Sequence, residues 1–170
     1  INNITISDNL GVGLWISHYS DPYISNINIE NNTHQGIYIE NKCNPLIANS
    51  TIQNHNTNSY PAIYIRYSQA SVYNLDIVNN NGNAIELGDI WEVNDNSVLL
   101  ENITATNNTG YGIYLDYASV NMLNSIIWDN DLSNDLNSSI VTSGGNGEID
   151  YNYSNILILV TNYCYFQNFQ

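Results

Sequence analysis

One short pattern recurs six times along the sequence, and this repeat limits the possible folds more than any other feature. Each copy contains apolar or β-branched residues in the four positions before an Asn or Asp, as in ITISDN, INIENN and LDIVNN. The copies start 23, 23, 25, 28 and 23 residues apart, at Ile4, Ile27, Ser50, Leu75, Ile103 and Ile126. A period of this length is typical of a solenoid, in which each repeat packs only against its neighbours.

Apolar and polar residues alternate within each repeat, which predicts strands with one buried face. The clearest alternating pairs are Leu14 and Ile16, Ile37 and Ile39, Ile63 and Ile65, Ile85 and Leu87, and Ile113 and Leu115. Three such segments per repeat predict an all-β fold: a right-handed single-stranded parallel β-helix of about six coils, each with three short strands. We assign residues 1–155 to these coils and 156–170 to a C-terminal strand and aromatic tail or cap, within a fragment of a larger protein.

Asparagine recurs at matching positions of the repeats. One column consists of Asn31, Asn54, Asn79, Asn107 and Asn130, and a second column lies five residues earlier. A side-chain amide both donates and accepts hydrogen bonds, so identical amides stacked at the strand spacing bond to one another along the stack. We therefore predict an asparagine ladder that runs along the rod.

Aromatic residues occupy the middle of four of the alternating segments, at Trp15, Tyr38, Tyr64 and Tyr114. Their neighbours on both sides are inward Ile and Leu, so the aromatic side chains must point outward. Glu86 takes the equivalent place in one repeat. One interpretation of such a row is contact with a glycan or a protein partner. The alternative is cross-strand stacking that only stabilises the sheet, by about 0.2–1 kcal/mol per pair.

Polar residues lie beside this aromatic row. Glu40 and Arg66 fall two residues after Tyr38 and Tyr64 in adjacent repeats, and Asp116 has the same place in a later one. Together with Glu86 they are candidate polar neighbours in a binding site. The alternative for Glu40 and Arg66 is a surface ion pair, which contributes little to stability.

The formal net charge of −14, with only two Lys and Arg residues, excludes two classes of partner. Nucleic acids and anionic membrane surfaces both require a basic patch. No run of 18 apolar residues is present in the sequence, so we expect no membrane insertion. His18, His34 and His55 occupy different positions of the repeat, so we predict no metal site.

Coils such as NNTHQGIYIENKCNPLIANSTIQN and NNTGYGIYLDYASVNMLNSIIWDN resemble secreted bacterial proteins with right-handed parallel β-helix repeats, within the wider pectin-lyase-like superfamily. The resemblance covers roughly residues 1–155. It implies an extracellular or cell-surface location. It leaves activity open, because the superfamily mixes polysaccharide lyases, hydrolases, phage tailspikes and adhesins.

The lyases of that superfamily hold calcium in a carboxylate cluster, and no three acidic residues on adjacent coils surround Arg66, so we expect no cofactor. The paired acidic and His motifs of its hydrolases are missing, and we assign no catalytic residue. The sequence thus favours a non-catalytic secreted or cell-surface module, structural or binding a polysaccharide, surface glycan or partner. The alternatives are a polysaccharide-active lyase or glycoside hydrolase, or a fragment of one, and a filament subunit that self-associates end to end.

Overall fold

The computed structural model describes residues 1–56, 60–88, 98–130, 140–143, 147–152, 155–156 and 164–168. Every regular element in these ranges is a strand, and none of them contains a helix able to cross a membrane. The strands are β1 (Asn2–Ser7), β2 (Leu14–Ile16), β3 (Tyr23–Glu30), β4 (Ile37–Glu40), β5 (Leu46–Gln53), β6 (Ile63–Arg66), β7 (Ser71–Val78), β8 (Ile85–Gly88), β9 (Val98–Thr106), β10 (Ile113–Asp116), β11 (Val120–Leu123), β12 (Ile126–Trp128), β13 (Ile140–Ser143), β14 (Gly147–Asn152), β15 (Asn155–Ile156) and β16 (Cys164–Asn168).

Each strand pairs in parallel with the equivalent strand one turn away, which is the defining geometry of a β-solenoid. A ten-stranded sheet runs in the order β1-β3-β5-β7-β9-β11-β14-β16, with β12 and β15 beside it. A six-stranded sheet runs in the order β13-β10-β8-β6-β4-β2. The prediction of an all-β parallel solenoid is therefore confirmed.

About five turns, from β1 and β2 to β9 and β10, each combine one strand of the larger sheet with one short strand. The sixth predicted coil is divided into the three shorter strands β11, β12 and β13. Beyond it, β16 pairs in parallel with β14, so the stacking of strands continues to Asn168. The division of the chain at residue 155 stays a prediction, and residues 157–163 and 169–170 of the proposed tail lie outside the described ranges.

The long strands bend at asparagines in the left-handed conformation. Asn26, Asn49 and Asn74 have φ angles of 52°, 51° and 51° in the middle of β3, β5 and β7. Two of the three predicted segments of a coil are therefore parts of one bent strand. Asparagine tolerates this conformation better than most residues. Its amides also bond along the corner, since Asn102 Nδ2 donates to Asn74 Oδ1 at 2.9 Å and Asn74 Nδ2 to Asn49 Oδ1 at 2.8 Å.

The interior of the rod is one apolar core built from the predicted alternation. Ile37 pairs with Ile63 and Ile39 with Ile65 on neighbouring strands, and all four side chains are fully buried. Full burial of one such side chain contributes about 1.5–3 kcal/mol. The core fixes which side of each short strand faces outward, because a slip by one residue would exchange the two faces.

The predicted asparagine column marks a turn and not the hydrogen-bonded ladder. Asn31, Asn54, Asn79 and Asn107 have φ angles of 55°, 57°, 57° and 56°, and all four are exposed to solvent. They hold the left-handed residue at the corner after each long strand. The ladder is formed by the residues that follow these turns.

The buried ladder consists of Asn32, Asn80, Asn108 and Asn130. Asn80 Nδ2 donates to Asn108 Oδ1 at 2.9 Å, and Asn108 Nδ2 donates to Asn130 Oδ1 at 2.8 Å. The same amides also bond to the backbone, as Asn108 Nδ2 does to the carbonyl oxygen of Ile77 at 3.0 Å. The ladder therefore satisfies both amide and backbone groups in a region that water does not reach.

The different position of Asn130 has a simple cause. The last two copies of the repeat start 23 residues apart, but Asn108 and Asn130 are hydrogen-bonded partners 22 residues apart. Asp129, with a φ of 53°, is the corner residue of that turn. Asn130 thus lies in the buried ladder beside Asn108 and not in the column of Asn107.

His55 occupies one place of the buried ladder, after the corner residue Asn54. Its side chain is 2% exposed, and its backbone N–H donates to Asn80 Oδ1 at 3.1 Å. The ring Nδ1 lies 3.2 Å from the carbonyl oxygen of Asn32, whereas Nε2 has no hydrogen-bond partner among the described residues. Burial lowers the pKa of His55. A β-carbon at Gly36 would lie only 2.7 Å from Nε2, so glycine there leaves room for the imidazole ring.

Candidate functional site

Three of the predicted aromatic residues meet on the outer face of the short-strand sheet. Trp15 on β2 pairs in register with Tyr38 on β4, which pairs with Tyr64 on β6. The rings of Trp15 and Tyr38 are 5.9 Å apart between centroids and inclined by 20°. Those of Tyr38 and Tyr64 are 5.4 Å apart and inclined by 11°. We call these three residues the aromatic stack.

Stacking leaves the three rings unequally exposed. Near-parallel rings at these separations overlap with an offset, so each ring covers part of the next one's face. Trp15 is 60% exposed, whereas Tyr38 and Tyr64 are half-buried. The largest aromatic surface open to a ligand is therefore at Trp15, with the edges of the two tyrosines extending it along the sheet.

Glu40 fixes the orientation of two rings of the stack. Its Oε1 accepts a hydrogen bond from Trp15 Nε1 at 3.1 Å, and its Oε2 accepts one from the Tyr38 hydroxyl at 2.8 Å. Burial, and then the bond to this carboxylate, raise the pKa of Tyr38 to about 12. One carboxylate thus bridges two strands and presents a fixed negative charge beside the aromatic surface.

Arg66 lies opposite Glu40 in the strand register. Its guanidinium carbon is 4.8 Å from the centroid of the Tyr67 ring, and its Nη2 donates to the Tyr67 hydroxyl at 3.5 Å. Such cation–π contacts hold the charge near the sheet surface. The guanidinium of Arg66 therefore lies against Tyr67, the residue that follows β6.

The fourth predicted aromatic residue, Tyr114, is separated from the stack by Glu86. In the strand register Glu86 lies between Tyr64 and Tyr114. Tyr114 stacks instead on Tyr111 of its own turn, with centroids 6.0 Å apart and planes inclined by 12°. Its hydroxyl bonds to Ser143 Oγ, which donates to Asp116 Oδ1 at 3.2 Å. The predicted row is thus two aromatic groups with a carboxylate between them.

A pocket of about 160 Å³ opens beside Glu86. Its lining spans three turns and consists of Tyr60, Pro61, Gly82, Asn83, Glu86, Thr109 and Gly110. Asn83 Nδ2 donates to Glu86 Oε2 at 3.2 Å. Burial raises the pKa of Glu86, and the nearby charge of Asp116 raises it further, while the bond from Asn83 acts in the opposite direction.

Sequence reasoning placed Glu86 in the row but missed the pocket. Tyr60, Asn83 and Thr109 lie outside the strands and do not share one position of the repeat, so a search for columns passes over them. The turns that precede β6, β8 and β10 bring these residues together, because the three strands are neighbours in the short-strand sheet.

The chemistry of this surface is that of a hydrogen-bonding and stacking site. It offers aromatic rings, two carboxylates, an amide and a hydroxyl over neighbouring turns. Among the residues that the structure describes, no group of three His, Cys, Asp or Glu side chains is arranged to hold a metal ion. Aromatic rings, carboxylates, amides and hydroxyl groups recognise sugars and amines without a cofactor.

The chain matches a known protein family. The model of the family described as "right handed beta helix region" matches residues 1–156. No curated protein and no solved structure matches the chain.

Proposed function

Because the chain belongs to the right-handed β-helix family, we propose that it is a module whose outer short-strand face binds a polysaccharide. The observation that carries this proposal is the aromatic stack of Trp15, Tyr38 and Tyr64 with its bridging carboxylate Glu40. The apolar faces of pyranose rings stack on aromatic side chains, and their hydroxyl groups donate to carboxylates. A rigid sheet that holds both groups in place lowers the entropy lost on binding.

The shape of the surface favours an extended ligand over a compact one. The strands of the sheet are about 4.8 Å apart, so the stack forms a strip about 10 Å long across three strands. Large exposed aromatic residues such as Trp15 commonly mark interaction sites. A polymer that follows the strip contacts Trp15 first and reaches the tyrosine edges and Glu40 with its next units.

The charge of the chain selects among polysaccharides. A net charge of −14, with Glu40 inside the proposed site, repels polymers of uronic acids. Arg66 follows Tyr64 on the same strand, and its guanidinium makes a cation–π contact with the ring of Tyr67. We therefore expect neutral polymers to bind better than polyuronates of equal length.

Fluorescence of Trp15 provides the test. Three tryptophans are present, so Trp91→Phe and Trp128→Phe form the background in which Trp15 alone reports. Titration with cellohexaose, mannohexaose and hexagalacturonate should change the emission with at least one neutral hexamer and less with the uronate. Calorimetry with the same ligands gives the affinities without a probe.

Tyr38→Ala and Trp15→Ala should each weaken binding at least tenfold. Tyr73→Ala is the matched control, because Tyr73 is a half-buried tyrosine on β7 in the other sheet. Affinity that survives both substitutions in the stack, or that falls equally in the control, would return the stack to a purely structural role.

A further inference from the structure

The aromatic row is interrupted at a single strand, and the interruption coincides with the pocket. Glu86 on β8 takes the place between Tyr64 on β6 and Tyr114 on β10. Strands are spaced by about 4.8 Å, so the two tyrosine positions are about 9.6 Å apart with a carboxylate between them. A tyrosine at this position would have continued the row from Tyr64.

The pocket has room for one small ring. A cavity of about 150 Å³ is large enough to hold a six-membered aromatic ring, and the pocket measures about 160 Å³. Tyr60, 39% exposed, and Pro61 supply apolar walls, while Thr109 and Asn83 supply polar groups. One monosaccharide unit is therefore the size of ligand that the pocket admits.

The carboxylate in the pocket lacks full compensation from the protein. Glu86 is half-buried, and among the described residues its hydrogen-bond donor is the neutral amide of Asn83. Asp116 adds negative charge nearby, so the local potential favours a cation. A ligand that brings a positive charge to this point gains more than a neutral ligand of the same shape, because it offsets the cost of burying the carboxylate.

We propose that this pocket is a subsite for an amino-sugar unit, whose ammonium group binds the Glu86 carboxylate while its ring lies against Tyr60 and Pro61. The inference rests on the proposed polysaccharide-binding function, since the pocket opens on the sheet that carries the aromatic stack. It adds a chemical preference: a polymer with free amino groups in place of hydroxyl or acetamido groups. The alternative ligand, a neutral sugar that only donates hydroxyl hydrogen bonds to Glu86, is an outcome of the test.

The test uses two ligands that differ only in charge. The β-1,4-linked glucosamine hexamer carries free ammonium groups, and its fully N-acetylated form has the same length and linkage without charge. Calorimetry at pH 6 and low salt should show the amine form binding the native chain at least tenfold more tightly. Equal affinity for the two hexamers would overturn the proposal.

A pair of variants locates the effect. Glu86→Gln keeps the size of the side chain and removes its charge, and should reduce the preference for the amine form to less than threefold. Glu101→Gln is the control, because Glu101 is also half-buried but lies on β9 in the other sheet, so the substitution removes the same charge away from the pocket. If both variants reduce the preference equally, attraction is a property of the net charge and the subsite does not exist.

The two proposals fail in different ways. Trp15→Ala should weaken both hexamers by a similar factor and leave their ratio unchanged, since it acts on the stack. Glu86→Gln should change the ratio and leave the acetylated hexamer within threefold of its native affinity. If the native chain binds the two hexamers equally but binding still depends on Trp15 and Tyr38, the subsite alone is overturned. A ratio that persists when Trp15→Ala and Tyr38→Ala have no effect would overturn the stack and retain the subsite.

Discussion

Two columns of side chains run along this rod, one inside and one outside, and each is interrupted once. The buried asparagine ladder is interrupted by His55, and the outer aromatic row is interrupted by Glu86. His55 is 2% exposed and its Nε2 has no partner among the described residues. Glu86 is half-buried and borders a pocket. The residue that interrupts the inner column thus leaves a buried nitrogen without a partner among the described residues, whereas the residue that interrupts the outer row borders a pocket.

Access of water explains the difference. A polar atom in the interior must find its partner within the protein or lose the hydrogen bond it would make in water. On the outer face the solvent satisfies the same group, and the smaller side chain leaves space that a ligand is able to use. His55 in the inner column therefore lowers the stability of the fold, whereas Glu86 in the outer row leaves space on the surface.

The largest effect on stability is expected from breaking the inner column where it is complete. Asn108→Ala removes an amide that bonds Asn80, Asn130 and the carbonyl oxygen of Ile77, and leaves buried groups without partners. We expect the free energy of unfolding to fall by about 3 kcal/mol, measured by urea denaturation.

Asn107→Gly is the control for this substitution. Asn107 precedes Asn108, is exposed and has a φ of 56°, which glycine adopts without strain. Its change should remain below about 0.5 kcal/mol. Equal losses at the two positions would mean that the corner, and not the ladder, holds the turns together.

Repairing the inner column should have the next largest effect. His55→Asn restores an amide between Asn32 and Asn80 and removes the nitrogen that lacks a partner. The free energy of unfolding should rise by about 1 kcal/mol, since a hydrogen-bonded group replaces an unsatisfied one. His34→Asn, which changes a half-buried histidine packed on Tyr60, should produce no such gain. A loss of stability in His55→Asn would show that the volume of the imidazole ring matters more than its missing bond.

The same residue makes stability depend on pH. Burial lowers the pKa of His55 in the folded chain below its ordinary value of 6.5, so below that pH the unfolded chain binds more protons. The stability contributed by neutral His55 is complete above pH 6.5 and is lost as the pH falls through 6.5 towards the folded-state pKa. The difference in unfolding free energy between His55→Asn and the native chain should therefore grow between pH 7.5 and pH 5. A constant difference would show that His55 is accessible to protons in the folded state.

The smallest effect is expected from completing the outer column. Glu86→Tyr joins Tyr64 to Tyr114 across the interruption, and one cross-strand aromatic pair contributes about 0.2–1 kcal/mol. Thermal unfolding should shift upward slightly, while the preference for the glucosamine hexamer should disappear because the carboxylate is gone and the pocket is filled. Glu101→Tyr on β9 is the control and should leave that preference intact. If Glu86→Tyr retains the preference, the preference for the glucosamine hexamer does not arise at Glu86.

The repeat predicted the strands and their partners because each side of a strand has its own composition. Alternation around Ile37 and Ile63 identified the buried face, and the spacing between copies then paired Tyr38 with Tyr64 and Glu40 with Arg66. Both features depend only on a period of two along the strand and on the length of a turn. They survive without any knowledge of side-chain conformation.

The asparagine ladder shows where this reasoning stops. Asn79 and Asn80 are chemically identical neighbours, yet Asn79 holds a corner with a φ of 57° and Asn80 is buried in the ladder. Only the backbone conformation separates their roles, and composition carries no record of it. The hydrogen bond from Trp15 to Glu40 could not be predicted from the sequence either, because it depends on which rotamers the stacked rings allow.

The bonds that join consecutive turns have another consequence, for how the rod forms. Side chains of one turn bond to the backbone of the neighbouring turn across sequence separations of 22 to 31 residues, as in Ser125 to Ile103, Asn108 to Asn80 and Asn108 to Ile77. The entropy lost in closing a loop grows slowly with its length, so each turn meets nearly the same cost. A completed turn serves as the template for its neighbour, and folding nucleates at any of them and spreads in both directions. Adding turns to such a rod therefore adds steps of equal difficulty and leaves the difficulty of each step unchanged.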